Sequence, residues 1–182
     1  MSNEAVSLVI RAAALAAHKH REQRRKDVDA TPYINHPLSL ARVLVEEGGV
    51  HDPVVLAAAI LHDTIEDTRT TEEELIEQFG KEVASVVAEV IDNKNLSGAT
   101  RKELQVEHAP TLSPRAKLVK LADEISNVRD IGGPNGPVDW PSARKREYFA
   151  WAVRVVTAMG SVHPVLEAKF AEAVTHGEGA VG

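Results

Sequence analysis

Apolar residues recur three and four positions apart along almost the whole chain, beginning with Val6, Val9, Ile10, Ala13, Ala14 and Ala17. That spacing places them on one face of an α-helix, whereas alternating, strand-like runs are scarce. Prolines punctuate the pattern. Pro37, Pro53, Pro114, Pro141 and Pro164 directly follow His36, Asp52, Ser113, Trp140 and His163. In the first turn of a helix a proline loses nothing, because that N–H has no intrahelical partner. Gly48 and Gly49 close the helix opened by Pro37, and Gly80 closes a short one in which Thr71 and Glu74 are spaced as a capping box. Further helices are expected over 82–91, 99–108, 114–130, 141–159 and 164–174. The fold class is therefore all-α, a single helical bundle of about eight to ten helices.

At 182 residues the chain fits one domain over 1–182, large enough for a real core. The segments 92–98 and 131–139 read as loops. Helices that need partners flank both, so neither is a linker. The tail from about 176 to 182 is small and polar, and is expected to fray.

Composition then narrows the chemistry. The chain has no Cys, which excludes disulfides, thiolate zinc sites and thiol nucleophiles. Any metal must be held by imidazole and carboxylate, and eight His with 27 acidic residues supply both. The formal net charge of −6 argues against a nucleic-acid polymer as partner, so an anionic ligand must meet a local basic patch. The first residues lack a basic stretch followed by a long apolar one, and no segment approaches the length of an apolar membrane span. A cytoplasmic protein with no membrane contact is expected.

The densest chemical cluster is His62-Asp63-Thr64-Ile65-Glu66-Asp67, which follows the apolar run 54–61. On one continuous helix Asp63, Glu66 and Asp67 share a face, and a helix C-terminus is the unfavourable end for anions. A divalent cation is the simplest compensation; a solvated acidic helix end is the plain alternative. The other such pair, His51-Asp52, precedes Pro53 and reads as a helix cap. Two single residues stand out. His36 sits before a proline in Tyr33-Ile34-Asn35-His36-Pro37 and reads as a helix-entry residue or a ligand. Asp123 interrupts the apolar stripe of Leu118, Val119, Leu121, Ala122, Ile125 and Val128, next to Lys120 and Asn127. A carboxylate there needs a partner, either Lys120 or a cation. Lys19, Arg21, Arg24, Arg25 and Lys26 form a cationic run at the end of the first helix.

The order His36, His62-Asp63, Asp123 resembles the signature of the HD-domain metal phosphohydrolases. The flanking stretches at 33–37, 62–68 and 117–123, with Asn127, are similar to the hydrolase domain of RelA/SpoT-type enzymes, and most of all to the stand-alone small alarmone hydrolases of Mesh type. Arg24-Arg25-Lys26, the stretch 105–110 and the stretch 147–151 extend the similarity to most of the chain. The resemblance implies one Mn²⁺ per chain, bound by His36, His62, Asp63 and Asp123. It implies that Glu66 and Asp67 position the attacking water or take its proton. Arg25, Lys26, Tyr33, Lys120, Asn127, Arg144 and Tyr148 correspond to substrate-contacting positions. The implied reaction releases pyrophosphate from the 3′-diphosphate of guanosine tetra- or pentaphosphate, a small-molecule nucleotide substrate. Glu124-Ile125-Ser126 and the loop 132–137 depart from the pattern and bear on substrate choice. Removal of the 2′-phosphate of NADPH, action on other phosphate esters, and nucleotide sensing without turnover stay open, as does pairing of two copies through helix faces the core leaves unused.

Overall fold

A computed structural model describes residues 2–134 and 136–181; Met1, Asn135 in the 131–139 loop and Gly182 in the tail lie outside the described residues. The chain runs as α1 (Asn3–Lys19), α2 (Asn35–Arg42) continuing into a π-helical turn (Val43–Glu47), α3 (Pro53–Leu61), α4 (Thr64–Asp67), α5 (Glu72–Phe79), α6 (Lys81–Val90), α7 (Gly98–His108) with a 3₁₀ turn (Ala109–Thr111), α8 (Pro114–Gly132), α9 (Ser142–Ala158) and α10 (Pro164–Val181). The described residues contain no strand, only an isolated antiparallel bridge between Arg24 and Pro32. The all-α expectation holds. Among the described residues no helix is long and apolar enough to cross a membrane.

Helix starts follow the capping chemistry read from the sequence at Asp52 and Thr71, and at Ser113 the structure adds a cap ahead of the expected Pro114 start. Asp52 accepts from the Val54 backbone N–H, Thr71 from that of Glu74, and Ser113 from that of Ala116. Helix α3 is the central rod: its residues from Val55 to Leu61 are all buried, and α1, α2, α6 and α8 pack around it. A helix apolar on every side is one enclosed on every side. Helix α8 carries a second buried stripe of Ala116, Val119, Leu121, Ala122, Ile125 and Val128, covered by α2, α3, α6, α9 and α10.

Two expectations are corrected. The apolar helix α3 stops at Leu61 as expected, but the acids do not sit at its C-terminus: a turn carries His62 and Asp63, and a new helix, α4, begins at Thr64. The Thr64 hydroxyl donates to the Leu61 carbonyl at 2.6 Å, supplying a partner where the helical ladder breaks. Asp63 thus precedes α4, and Glu66 and Asp67 lie in its first turn, the favourable end for negative charge. Nor does the tail fray at 176. Helix α10 continues to Val181, which is buried, and Arg146 donates to its carbonyl at 3.1 Å. The continuation rests on the close approach of Gly177 to Gly132 and the Phe149 ring, where a Cβ would have no room.

Candidate active site

Three separate pieces of the fold converge. His36 stands in the first turn of α2, His62 and Asp63 in the turn between α3 and α4, and Asp123 in the middle of α8. His36 Nε2 lies 3.2 Å from Asp123 Oδ1 and 4.0 Å from Asp63 Oδ2. His62 Nε2 lies 3.0 Å from Asp63 Oδ2 and 3.9 Å from Asp123 Oδ1. One donor atom each from His36, His62 and Asp123 falls within a 4.8 Å group, and Asp63 closes it from the side of both imidazoles. Both histidines are buried.

The donor set fits a divalent cation. His62 Nδ1 meets the Ala59 carbonyl at 2.9 Å, so the ring turns Nε2 towards the carboxylates. Asn127 donates to Asp123 Oδ1 at 2.7 Å, and the Tyr33 hydroxyl donates to Asp63 Oδ2. Burial works against the charged form of His62, but the Asp63 and Asp123 carboxylates outweigh it and raise its pKa to about 9. Burial likewise opposes ionisation of Asp63 and Asp123. His62 and His36 beside Asp63, and Lys120 with the imidazoles beside Asp123, prevail and hold both well below the usual carboxylate range. Imidazole and ionised carboxylate gathered in a buried space are the ligands a cation of the manganese or zinc kind takes.

Glu66 and Asp67 project beside this cluster on α4. Glu66 accepts from the Asp92 backbone N–H at 3.0 Å, with Lys94 at 3.7 Å and Arg101 at 3.6 Å from its other oxygen. Burial raises its pKa; the Asp92 N–H and Lys94 pull the other way, and the charges of Asp63 and Asp92 add to the rise. Asp67 accepts from Gln23 Nε2 at 2.7 Å and pairs with Lys94. Gln23, Asp92, Lys94 and Arg101 were not singled out from the sequence. Each reaches the acids from a distant segment, and nothing local to these residues marks that approach.

The cluster opens into a cavity of about 920 Å³, whose wall includes Tyr33, His36, Glu66, Asp67, Asn127 and Tyr148 together with Arg24, Arg25, Lys26, Gly133, Pro134, Gly136, Pro137 and Trp140. Of the cationic run, Lys19 is taken up by Glu74 at 2.8 Å, whereas Arg24, Arg25 and Lys26 reach this wall. Arg25 is braced by Asp130 at 2.6 Å and lies over the Tyr33 ring at 5.8 Å. Two expected substrate contacts stand apart from the described lining. Lys120 is buried behind Asp123, 3.4 Å from that carboxylate and 3.2 Å from Glu124, which also accepts from the Tyr148 hydroxyl at 3.1 Å. Arg144 stacks on Trp140, 4.2 Å from the ring centroid, and it is Trp140 that faces the cavity.

Buried imidazoles and carboxylates at one junction of a helical bundle define a metal-dependent class of HD fold, and the HD domain family profile matches residues 12–147. Guanosine-3′,5′-bis(diphosphate) 3′-pyrophosphohydrolase MESH1 of Xenopus tropicalis is 52% identical over 169 residues, covering 93% of this chain and 93% of the relative. The MESH1 protein of Homo sapiens is 51% identical over 176 residues, covering 97% and 95%. The solved structure of a metazoan ortholog of SpoT, described as hydrolyzing ppGpp, superposes with a TM-score of 0.88 at 42% identity over 91% of this chain and 93% of that one. The chain belongs to the HD-domain family and, within it, to the MESH1 branch.

Proposed function

We propose that this protein is a metal-dependent guanosine-3′,5′-bis(diphosphate) 3′-pyrophosphohydrolase, hydrolysing the 3′-diphosphate of guanosine tetra- and pentaphosphate to GDP or GTP and pyrophosphate. The observation that carries the proposal is the meeting of His36, His62, Asp63 and Asp123 at one point, beside Glu66 and at the mouth of a cavity of nucleotide size. The names of the relatives at about half identity supply the substrate.

His36, His62, Asp63 and Asp123 would hold one divalent cation per chain, Mn²⁺ in this reading. When bound, the cation supplies Lewis acidity, making water a stronger nucleophile at neutral pH and stabilising charge on the phosphoryl group. Glu66 and Asp67 orient the attacking water and hold its departing proton; the raised pKa of Glu66 suits it to accept one. Attack at the phosphorus next to the ribose would break its bond to the 3′-oxygen, which leaves on the nucleoside and takes up the proton held by the acid pair, while the water oxygen stays on the pyrophosphate. Arg25 and Lys26 draw the polyphosphate and base to the cavity wall, where a guanidinium can pair with phosphate or stack on a purine. Tyr33 and Asn127 serve the substrate side while fixing Asp63 and Asp123. Tyr148, and Arg144 through its stack on Trp140, shape the cavity wall. Lys120 acts from behind Asp123 by holding that carboxylate.

The deciding experiment incubates purified protein and Mn²⁺ with the guanosine tetraphosphate and, separately, with NADPH. Pyrophosphate release from the first should far exceed phosphate release from the second. The opposite order would reassign the substrate, and stoichiometric binding without turnover would make the protein a sensor.

A further inference from the structure

His20 closes α1 and is 2% exposed, yet it belongs to neither the metal cluster nor the cavity lining. Its ring lies against Tyr33 with centroids 4.8 Å apart, and its Nδ1 stands 2.7 Å from Gln23 Oε1. The other end of the Gln23 amide donates to Asp67 Oδ2 at 2.7 Å. The protons along this chain are fixed by elimination. A carboxylate only accepts, so the amide NH₂ must face Asp67 and the amide oxygen must face His20. The imidazole is then obliged to carry its proton on Nδ1. Independently, His20 Nε2 is buried without a hydrogen-bond partner among the described residues, where a proton on it would go unsatisfied.

We infer that His20 is a positioning residue for the acid pair: its Nδ1–H locks the Gln23 amide in the one orientation that aims a donor at Asp67. The same ring backs Tyr33, whose hydroxyl donates to Asp63. One buried imidazole therefore braces a water-handling acid and a metal-binding acid by two routes. The link to catalysis rests on the function proposed above; the tautomer and the amide orientation do not.

The test compares wild type with His20→Phe, which keeps a ring against Tyr33 but removes the donor, and with His20→Asn, whose amide N–H can stand where Nδ1–H was. Pyrophosphate release under Mn²⁺ is followed together with bound metal and thermal stability, and ¹⁵N-histidine NMR reports the tautomer in wild type and in Gln23→Leu. His20 should be the Nδ1–H tautomer in wild type, with a signal that moves in Gln23→Leu. His20→Phe should lower kcat about tenfold, as loss of an outer partner does, with KM and metal content unchanged, and His20→Asn should recover most of that loss. If His20→Phe does not fold, Gln23→Leu cuts the same link from the other side and should show the same loss in kcat. An Nε2–H tautomer, or a kcat untouched when the link is cut, overturns the inference. So does His20→Asn falling as far as His20→Phe. A wild-type protein that leaves the alarmone intact would instead sink the function reading, and the NMR result would still decide the assignment of His20.

Discussion

His62 Nδ1 is bonded to the Ala59 carbonyl, so the nitrogen this ring can offer to a cation is Nε2, which lies 3.0 Å from Asp63 Oδ2. In the metal-free protein Nε2 is protonated at neutral pH, because the neighbouring carboxylates raise the pKa to about 9. A raised value means the proton is held below that pH, and a cation must displace it. Affinity for Mn²⁺ should therefore climb with pH until about 9 and level off above it. Calorimetry at neutral pH in two buffers of different ionisation enthalpy should show about one proton released per ion bound. Binding without proton release would contradict the arrangement.

Metal retention and turnover should separate between neighbouring acids. Asp63→Asn removes a negative charge and one carboxylate oxygen from the cluster, His62→Ala removes an imidazole, and each should abolish both. Glu66→Gln keeps the shape and the bond from the Asp92 N–H but loses the proton acceptor. It should retain metal while turnover falls roughly 10²- to 10⁴-fold, the range of a positioned acid or base. Metal analysis alongside an activity assay distinguishes these results. Full activity in Glu66→Gln would take that residue out of the mechanism.

What the sequence made readable was local. A first-turn proline or a capping side chain marks a helix start locally: Asp52 and Thr71 cap as the sequence suggests, and the helix at Pro114 starts where its proline places it. His62 and Asp123 stood out because each is a polar group beside or within an apolar run, and His36 because it precedes a proline; its role as a ligand came only with the family resemblance. The new helix start at Thr64 was not readable, since no Gly or Pro marks it and the bond at the junction comes from Thr64 itself, a residue equally at home in a helix. Lys94, Arg101 and Gln23 reach the acid pair across 27, 35 and 44 positions of sequence, and such pairings are set by the packing of whole helices.

The last turns of α10 give a direct test of the tail. Its polar, small residues look dispensable in sequence, but a Cβ on Gly177 would come within 2.9 Å of the Phe149 ring, and one on Gly132 within 2.6 Å of the Gly177 backbone. Gly177→Ala should cost about 1–3 kcal/mol through overpacking. For a chain of this size each kcal/mol lowers Tm by about 2–4 °C. Truncation after Thr175 should also destabilise, by exposing Phe149 and losing Val181. A melting curve unchanged by either alteration would show that the contact contributes nothing.

Behind the cluster, Lys120 and Glu124 are both buried, 3.2 Å apart. Burial raises the pKa of Glu124, and Lys120 is the main force opposing that rise. Lys120→Met removes the opposing charge and should destabilise the fold by about 3–5 kcal/mol, the usual cost of stranding one member of a buried pair. Adding Glu124→Gln should restore much of that loss, because the amide can still accept from Tyr148 and carries no charge to strand. The sign of the pH dependence follows. With Lys120 gone the carboxyl is pushed further up, so the single variant is stabilised while Glu124 is protonated and loses that stability as pH rises through its folded value. Denaturant unfolding at about pH 5 and about pH 8 should show the deficit of Lys120→Met widening at the higher pH, a widening that the double variant, which lacks the carboxyl, does not show. A deficit that narrows with rising pH would mean that Glu124 is not the group left unpaired.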